Sequence, residues 1–501
     1  MPRWLPLAVV LCLEACLLFP ALNLLPVWTD ELFTVMTVPH PVREIIPIVQ
    51  RDIHPPLYFV LLHWWAMLPL PFTGVAALRA FSAVWALLAT LLLDFFWTRS
   101  MKPTERCLAL ALFAFSPCLL LYGRMARSYS MQAALALLAL AMLQRWMPNP
   151  LSLLRASAAL LAVLLLLYTH YVPGLAVLAG FILIGWRNIG MARMSTFVCA
   201  VALGYAPWAT TMIRALGRWG VASDYAATYN ISGNAALEQI VKIGFGLVSV
   251  TIGESFLASS LVLVPIILLL ALAGARTAEF SRYFPALLAI AAVVGYIGVA
   301  RWASYPFIPA RLLWLLPFLS LSVALGISHL QRMPLRWGVA SLIFLSYASS
   351  IVMYFRRENF LNLGYAAPLR EIAGQLNRDA QPRDLILMDA YNTDSQVLSA
   401  YLSGRTPNIV LFQENLPDAR RRLSSAATIW IARNTRDISP GHTTTELQIE
   451  ACTGRIEHDT LLEPYAPWQQ EAMKIVGMHP ALTHFYQLTE CRPAVAQNAG
   501  K

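Results

Sequence analysis

Two groups of acids stand 22 residues apart near the start of the chain: Asp30-Glu31, and Asp52 within Arg51-Asp-Ile-His-Pro-Pro-Leu-Tyr58. Carboxylates beside a bilayer are costly to desolvate and are kept where they have a task. An acid placed there serves as a general base toward an acceptor hydroxyl or amine. In a bland role the same residues form a hydrated loop or the acidic first turn of a helix. His54 follows Asp52 by two positions. Arg124 and Arg127 share the turn Leu121-Tyr-Gly-Arg-Met-Ala-Arg-Ser-Tyr129, Arg311 follows Pro306 and Pro309, and His170 lies in Leu167-Tyr-Thr-His-Tyr-Val-Pro173. Guanidinium groups pair bidentately with phosphate and keep their charge at a membrane face. Their bland counterpart is an arginine that snorkels to the interface. Acids for proton transfer together with arginines for an anion point to displacement at a sugar carbon with phosphate as the leaving group.

The elements that must carry these residues are membrane helices. With 58% hydrophobic and 13% charged residues, and a mean hydropathy of +0.58, the chain reads as a polytopic membrane protein. Eleven spans are expected, over about 4–27, 76–98, 107–122, 129–146, 152–168, 172–186, 195–213, 255–275, 283–300, 311–330 and 336–354. A signal peptide in place of the first span is disfavoured by Glu14 at its centre and by a basic region of only Arg3. Leu57 to Leu70 is too short to span and follows Pro55-Pro56, so it is expected to lie in or dip into the interface, Trp64-Trp65 at headgroup level.

Basic residues set the expected orientation. With the N-terminus inside, the inner connections hold Arg99, Lys102 and Arg106, then Arg145 and Arg155, Arg187 and Arg193, Arg276 and Arg282, and Arg332 and Arg336. The outer loops gather Asp30, Glu31, Glu44, Asp52, Asp224, Glu238 and Glu254. This is the positive-inside pattern, and it sends the chain after about residue 355 to the extracytoplasmic side. The net charge of +10 is dispersed among loops rather than gathered in a stripe with aromatics, which argues against nucleic acid as a partner.

Two domains are expected: a membrane module over 1–355 and an outer domain over 356–501, where charges become frequent. In the latter, 384–389, 408–412 and 428–432 read as strands, 395–401 and 416–423 as helices, and 484–488 as an edge strand. The alternation is that of a small α/β domain with a largely parallel sheet. No Gly-rich phosphate loop follows these strands, so nucleotide binding is not expected. Cys452 and Cys491 are the only cysteines in this region, and are natural disulfide partners if the compartment is oxidising.

The acidic pair after the first span, followed by Asp52-Ile-His-Pro-Pro-Leu57, resembles the first outer loop of protein O-mannosyltransferases. Ala126-Arg-Ser-Tyr129, Tyr168-Thr-His-Tyr171 and Ala310-Arg-Leu-Leu-Trp-Leu-Leu-Pro317 resemble the bacterial branch of that group. These are GT-C glycosyltransferases that use polyprenyl-phosphate sugars. The resemblance implies a GT-C fold and an inverting transfer, with Asp30 as base and Glu31 its neighbour. It places Asp52 and His54 at the donor or acceptor pocket, and Arg127 and Arg311 near the lipid phosphate. Its implied partners are a polyprenyl-phosphate-linked sugar donor, membrane lipids, and an acceptor that is protein, lipid or glycan. Met125 stands where many bacterial relatives carry an acid, which leaves metal assistance open, and Leu312 stands where an aromatic often follows the arginine. The competing readings are a transporter or flippase of lipid-linked glycans, which would bury charge at the midplane in repeated halves, and an inactive binding scaffold.

Overall fold

Prolines and glycines decide where the apolar runs become helices. The computed structural model describes residues 4–52, 54–219, 235–276, 309–389, 392–404, 409–411, 426–434, 456–464, 466–475 and 484–492. The expected span over 283–300, the expected helix over 416–423 and Cys452 lie outside them. The chain divides into two units, one of residues 1–23 and 33–359, the other of Leu24–Leu32 with Phe360–Lys501.

In chain order the helices up to residue 146 are α1 (Leu5–Leu18), α2 (Thr29–Thr37), α3 (Val42–Arg51), α4 (Leu57–Ala66), α5 (Val75–Leu93), α6 (Pro103–Ala114), α7 (Pro117–Gly123) and α8 (Tyr129–Trp146). They continue with α9 (Leu153–Leu167), α10 (Tyr171–Ile189), α11 (Met191–Trp219), α12 (Ala235–Ile252), α13 (Leu263–Ala275), α14 (Leu316–His329) and α15 (Met333–Arg356). Helix α1 is 14 residues long rather than the whole of 4–27. Pro20 lacks the N–H that would extend it, and Ala21 turns the chain at φ 49°. Pro117 likewise splits the expected 107–122 span into α6 and α7, which meet at 46°. Helix α12 was not expected, because Glu238 and Lys242 interrupt its apolar run.

Five helices among the described residues are long and apolar enough to cross a membrane, or six with α6 and α7 as one bent span. Others, α1, α4 and α9 among them, are shorter, so the expected spans correspond to helices of unequal length. Helix α8 is buried along most of its length, packed among protein rather than lipid.

Two glycines set one close crossing. A Cβ on Gly274 of α13 would stand 1.8 Å from the Ser322 carbonyl oxygen, and one on Gly326 of α14 would stand 2.0 Å from that of Leu270. Backbones in this contact tolerate no side chain, the small-residue logic of membrane helix packing. Where α5 ends in a π-helical turn (Asp94–Thr98), Arg106 clasps Asp94 with two bonds of 2.6 and 2.7 Å.

The second unit carries α16 (Leu369–Asp379), β1 (Leu385–Asp389), α17 (Asn392–Tyr401), β2 (Ile409–Leu411), β3 (Ile429–Asn434), β4 (Ile456–Pro464), α18 (Pro467–Ile475) and β5 (His484–Cys491). The strands form one sheet in the order β2-β1-β3-β5-β4. β2, β1 and β3 run parallel, but β5 pairs antiparallel with both β3 and β4, so the sheet is mixed. The expected edge strand is therefore interior, because β4, whose charged Glu457, His458 and Asp459 hid it, covers its far side. Central β3 is buried from Ile429 to Ala432, as a strand packed on both faces must be. Cys491, in β5, is disulfide-bonded.

Gly326→Ala is expected to lower the thermal midpoint of the detergent-solubilised protein, by an overpacking cost of about 1–3 kcal/mol. Gly338→Ala is the control: a Cβ there meets nothing within 4 Å, and the midpoint should hold or rise slightly. Equal effects from the two would contradict the close crossing.

Candidate functional site

The turn between α7 and α8 is held from below by hydroxyl groups. Ser82 of α5 donates to the Arg127 carbonyl at 3.0 Å, so the Tyr58 hydroxyl of α4, 3.0 Å away, is the donor to Ser82. Ser130 donates back to the Ser82 carbonyl at 2.6 Å. Each partner is buried, and a buried hydroxyl without a partner would cost about 1–3 kcal/mol. The sequence thereby fixes the backbone of Arg127 to the helix that follows the His-Pro-Pro-Leu element. A second tie joins that element to the Tyr168-Thr-His-Tyr turn: the Leu57 N–H donates to the Tyr168 carbonyl at 3.1 Å.

These ties bring Asp52, His54, Arg127 and His170 into one region, and Arg311 lies near enough to act on the charge of both histidines. Arg127 Nη2 lies 2.7 Å from His54 Nε2. Arginine only donates, so Nε2 accepts and the proton of the neutral ring sits on Nδ1. Asp52 Oδ2 is 3.7 Å from the same Nε2, beyond a hydrogen bond, so the acid and the imidazole are neighbours rather than a hydrogen-bonded pair. Phe33 and Phe59 wall the ring at centroid distances of 6.1 and 6.2 Å. Desolvation, then the charge of Arg127, then His170 and Arg311 hold His54 well below the ordinary histidine range.

His170 caps α10. Its Nδ1 accepts the Val172 N–H at 3.2 Å, which leaves the proton on Nε2. Burial first, then Arg311 and Arg127, pull its pKa down to about 3. Arg311 stands on the 3-10 turn Pro309–Leu315, anchored by the buried Ala310, Leu313 and Trp314. Among the described residues its guanidinium has no hydrogen-bond or ion-pair partner. Two guanidinium groups and two neutral imidazoles, each with one N–H to give, are a donor set of the kind that suits an anion. Asp52 is the acid beside His54, and burial first, with the Asp52 charge adding to it, raises the pKa of the Tyr171 phenol.

Arg124 is engaged elsewhere. It donates to the carbonyls of Leu17 at 2.7 Å and Ala21 at 2.6 Å, and its guanidinium lies over Tyr354 and Phe355. Arg79 serves Leu22 in the same way at 2.7 Å. Both satisfy carbonyls left open where α1 ends at Pro20, so the expectation of a phosphate contact from Arg124 gives way to a structural role.

In the second unit, Glu31 is buried and its Oε2 accepts the Trp28 N–H at 3.2 Å, the returning half of a capping box at the start of α2. Asp30, beside it in the same first turn, is partly exposed. The two acids therefore have different surroundings, and Glu31 is a helix cap.

Glu254 is a buried acid that the sequence shows only as one more loop acid. Tyr122 of α7 and Ser249 donate to its carboxylate, and burial pushes its pKa up to about 7. Tyr122 packs edge-on against Tyr129, whose ring lies 6.0 Å from the Arg127 guanidinium. A carboxyl that directly follows a +89° glycine abutting Pro117 carries no signal in sequence that it supports this turn. Among the described residues no three His, Cys, Asp or Glu side chains come together as a metal site, and Met125 is buried beside Arg127.

No protein-family model matches the sequence. No curated protein matches it either. In structure the chain is similar to ArnT from Cupriavidus metallidurans in the apo state, with a TM-score of 0.52, 11% identity, and 96% of this chain covered against 97% of that one. The same protein bound to undecaprenyl phosphate gives a TM-score of 0.50 at 10% identity, with 96% and 97% covered. The present chain shares its fold with ArnT along nearly the whole length of both chains.

The low pKa of His170 has a signed consequence. The unfolded chain takes up a proton below about 6.5, while the folded one stays neutral until about 3. Stability is therefore complete above pH 6.5 and falls as pH drops through that window, by about 2 kcal/mol at pH 5. His170→Gln should flatten the difference in thermal midpoint between pH 8 and pH 5. An unchanged difference would mean the imidazole is not desolvated.

Proposed function

We propose that this chain is an integral membrane glycosyltransferase that moves a sugar from a polyprenyl-phosphate carrier to an acceptor on the extracytoplasmic face. The reading is supported by Arg127 against His54, and by Arg311 near enough to both His54 and His170 to act on their charge, a donor set suited to an anion. The undecaprenyl phosphate bound by the structurally similar ArnT supports a lipid phosphate as that anion. The basic connections that alternate along the sequence support the outer face as its side.

In this reading Arg127 and Arg311 hold the phosphate, and the Nδ1–H of His54 and Nε2–H of His170 complete its hydrogen bonds. Asp30 takes the proton from an acceptor hydroxyl or amine on a protein, lipid or glycan. The oxygen or nitrogen of the acceptor forms its bond to the anomeric carbon as the bond to the phosphate oxygen breaks, and the centre inverts. Asp52, at the rim of the receptor beside Tyr171, orients the sugar or the acceptor. A positive site in a poorly solvated pocket favours charge that grows on the leaving phosphate.

Arg127→Ala and Arg311→Ala should each weaken binding of undecaprenyl phosphate to the full-length protein in nanodiscs by about 10- to 100-fold, the worth of a charged hydrogen bond. Asp30→Asn should keep that binding and lower release of undecaprenyl phosphate from undecaprenyl-phosphate-linked pentoses and hexoses by about 100-fold or more. Wild-type turnover by Asp30→Asn would remove it as the base. Sugar carried across a vesicle with no covalent product would replace the transferase by a transporter.

A further inference from the structure

The nine residues that lead into the acidic turn, Leu24–Leu32, belong with the C-terminal α/β unit and not with the helices that flank them in sequence. Their attachment is specific. The Val27 N–H donates to the Tyr401 hydroxyl at 3.4 Å. Trp28 meets Tyr365 edge to face, with centroids 5.0 Å apart, and its indole lies against the backbone of Gly364. Leu25, Pro26 and Val27 are buried.

The residues that hold this segment are themselves braced. The Tyr401 ring lies under Arg370 at 5.2 Å, and its carbonyl accepts from Asn377 at 3.0 Å. Tyr365 is 1% exposed, packs against Phe360, and stands on a turn that Asn362 caps through the Gly364 N–H at 3.1 Å. Phe360 in turn is tied by Gln469 of α18, which donates to its carbonyl at 2.6 Å. The consecutive N–H groups of Val27 and Trp28 are thus both satisfied by side chains, one from α17 and one from Glu31. A helix start whose approach is fixed at both residues presents its first turn in one orientation. Asp30 is in that turn.

We propose that the C-terminal α/β unit is the device that positions Asp30, with Tyr365 and Tyr401 as positioning residues that hold the Leu24–Leu32 segment. This rests on the reading of Asp30 as the base. General-base catalysis depends on placement within hydrogen-bond reach, so loosening the segment acts on turnover and not on the hold on the donor.

The test compares Tyr365→Leu/Tyr401→Phe, Tyr365→Phe and Asp30→Asn in the full-length protein in nanodiscs, by hydrogen exchange and by release of undecaprenyl phosphate from undecaprenyl-phosphate-linked sugars. In the double variant, amides of residues 27–32 should exchange at least about tenfold faster while α5 and α8 keep their wild-type protection. Its kcat should fall about tenfold or more with KM for the donor unchanged. Tyr365→Phe, which keeps the ring, should recover most of both. Wild-type exchange or wild-type kcat in the double variant overturns the positioning role. If Asp30→Asn abolishes turnover in that same experiment, the base assignment stands and only the positioning role falls; if Asp30→Asn turns over normally, the base assignment is what has failed. Faster exchange throughout α5 and α8 would mark general unfolding and would also overturn it.

Discussion

Two arginines acting on two neutral imidazoles are the constraint around which this part of the first unit is arranged. Arg127 and Arg311 both act on the same two imidazoles, and both push them toward neutrality. Like charges in a poorly solvated place repel, and each is costly to bury. Such a grouping persists only where the surrounding structure over-determines it. The bracing is visible: the Arg127 backbone is held through Ser82, Tyr58 and Ser130, and Arg311 is carried on a turn that buries Ala310, Leu313 and Trp314. The histidines accept this arrangement because each has one nitrogen committed as an acceptor, His54 to Arg127 and His170 to the N–H of Val172. Those commitments also determine which nitrogen retains a proton.

Arginine performs two unrelated tasks within a few residues. Arg124 and Arg79 spend their donors on the carbonyls of Leu17, Ala21 and Leu22, left open because Pro20 ends α1 early. Arg127, three positions after Arg124, faces His54 instead. Local geometry explains the split. After α7 the Arg124 side chain returns toward α1 and the rings of Tyr354 and Phe355, whereas the next residues turn the chain before α8 begins. Glu31 and Asp30 divide in a similar way, one closing a capping box and the other partly exposed beside it. Adjacent residues of one chemical type are thus poor guides to one another's role.

Much of this was legible in sequence, for physical reasons. Apolar runs mark helices wherever the medium is lipid or a packed bundle, so α5, α8 and α15 fall where expected. The Asp-Ile-His-Pro-Pro-Leu and Tyr-Thr-His-Tyr motifs stood out because histidine and prolines at a helix start are rare company. Their meeting was not legible, since it runs through the Leu57 to Tyr168 backbone bond, which any pair of residues can make. The Gly274 and Gly326 contact was equally hidden, because each glycine needs the other helix to give it meaning. Helix α12 and strand β4 were missed for one reason: both carry charges that interrupt the apolar pattern, and tertiary packing outweighs that local signal. The position of β5 inside the sheet followed from missing β4.

The same grouping of arginines and imidazoles bears on how a phosphate would be treated in the proposed reaction. A phosphodiester linking lipid to sugar carries one negative charge, while the monoester that departs approaches two, with its second pKa near 6. A receptor with two guanidinium groups and neutral imidazole donors gains more from the second state than from the first. The imidazoles matter here because they donate without adding charge, so the pocket is not so positive that it holds the substrate as firmly as the product. Stabilisation that grows along the reaction lowers the barrier, whereas equal binding of both states would not. Preorganised donors that need no rearrangement at that moment are the most effective kind. In the proposed transfer, the neutrality of His54 and His170 would favour a phosphate leaving group, and the hydroxyl bracing beneath Arg127 would keep that donor set in place.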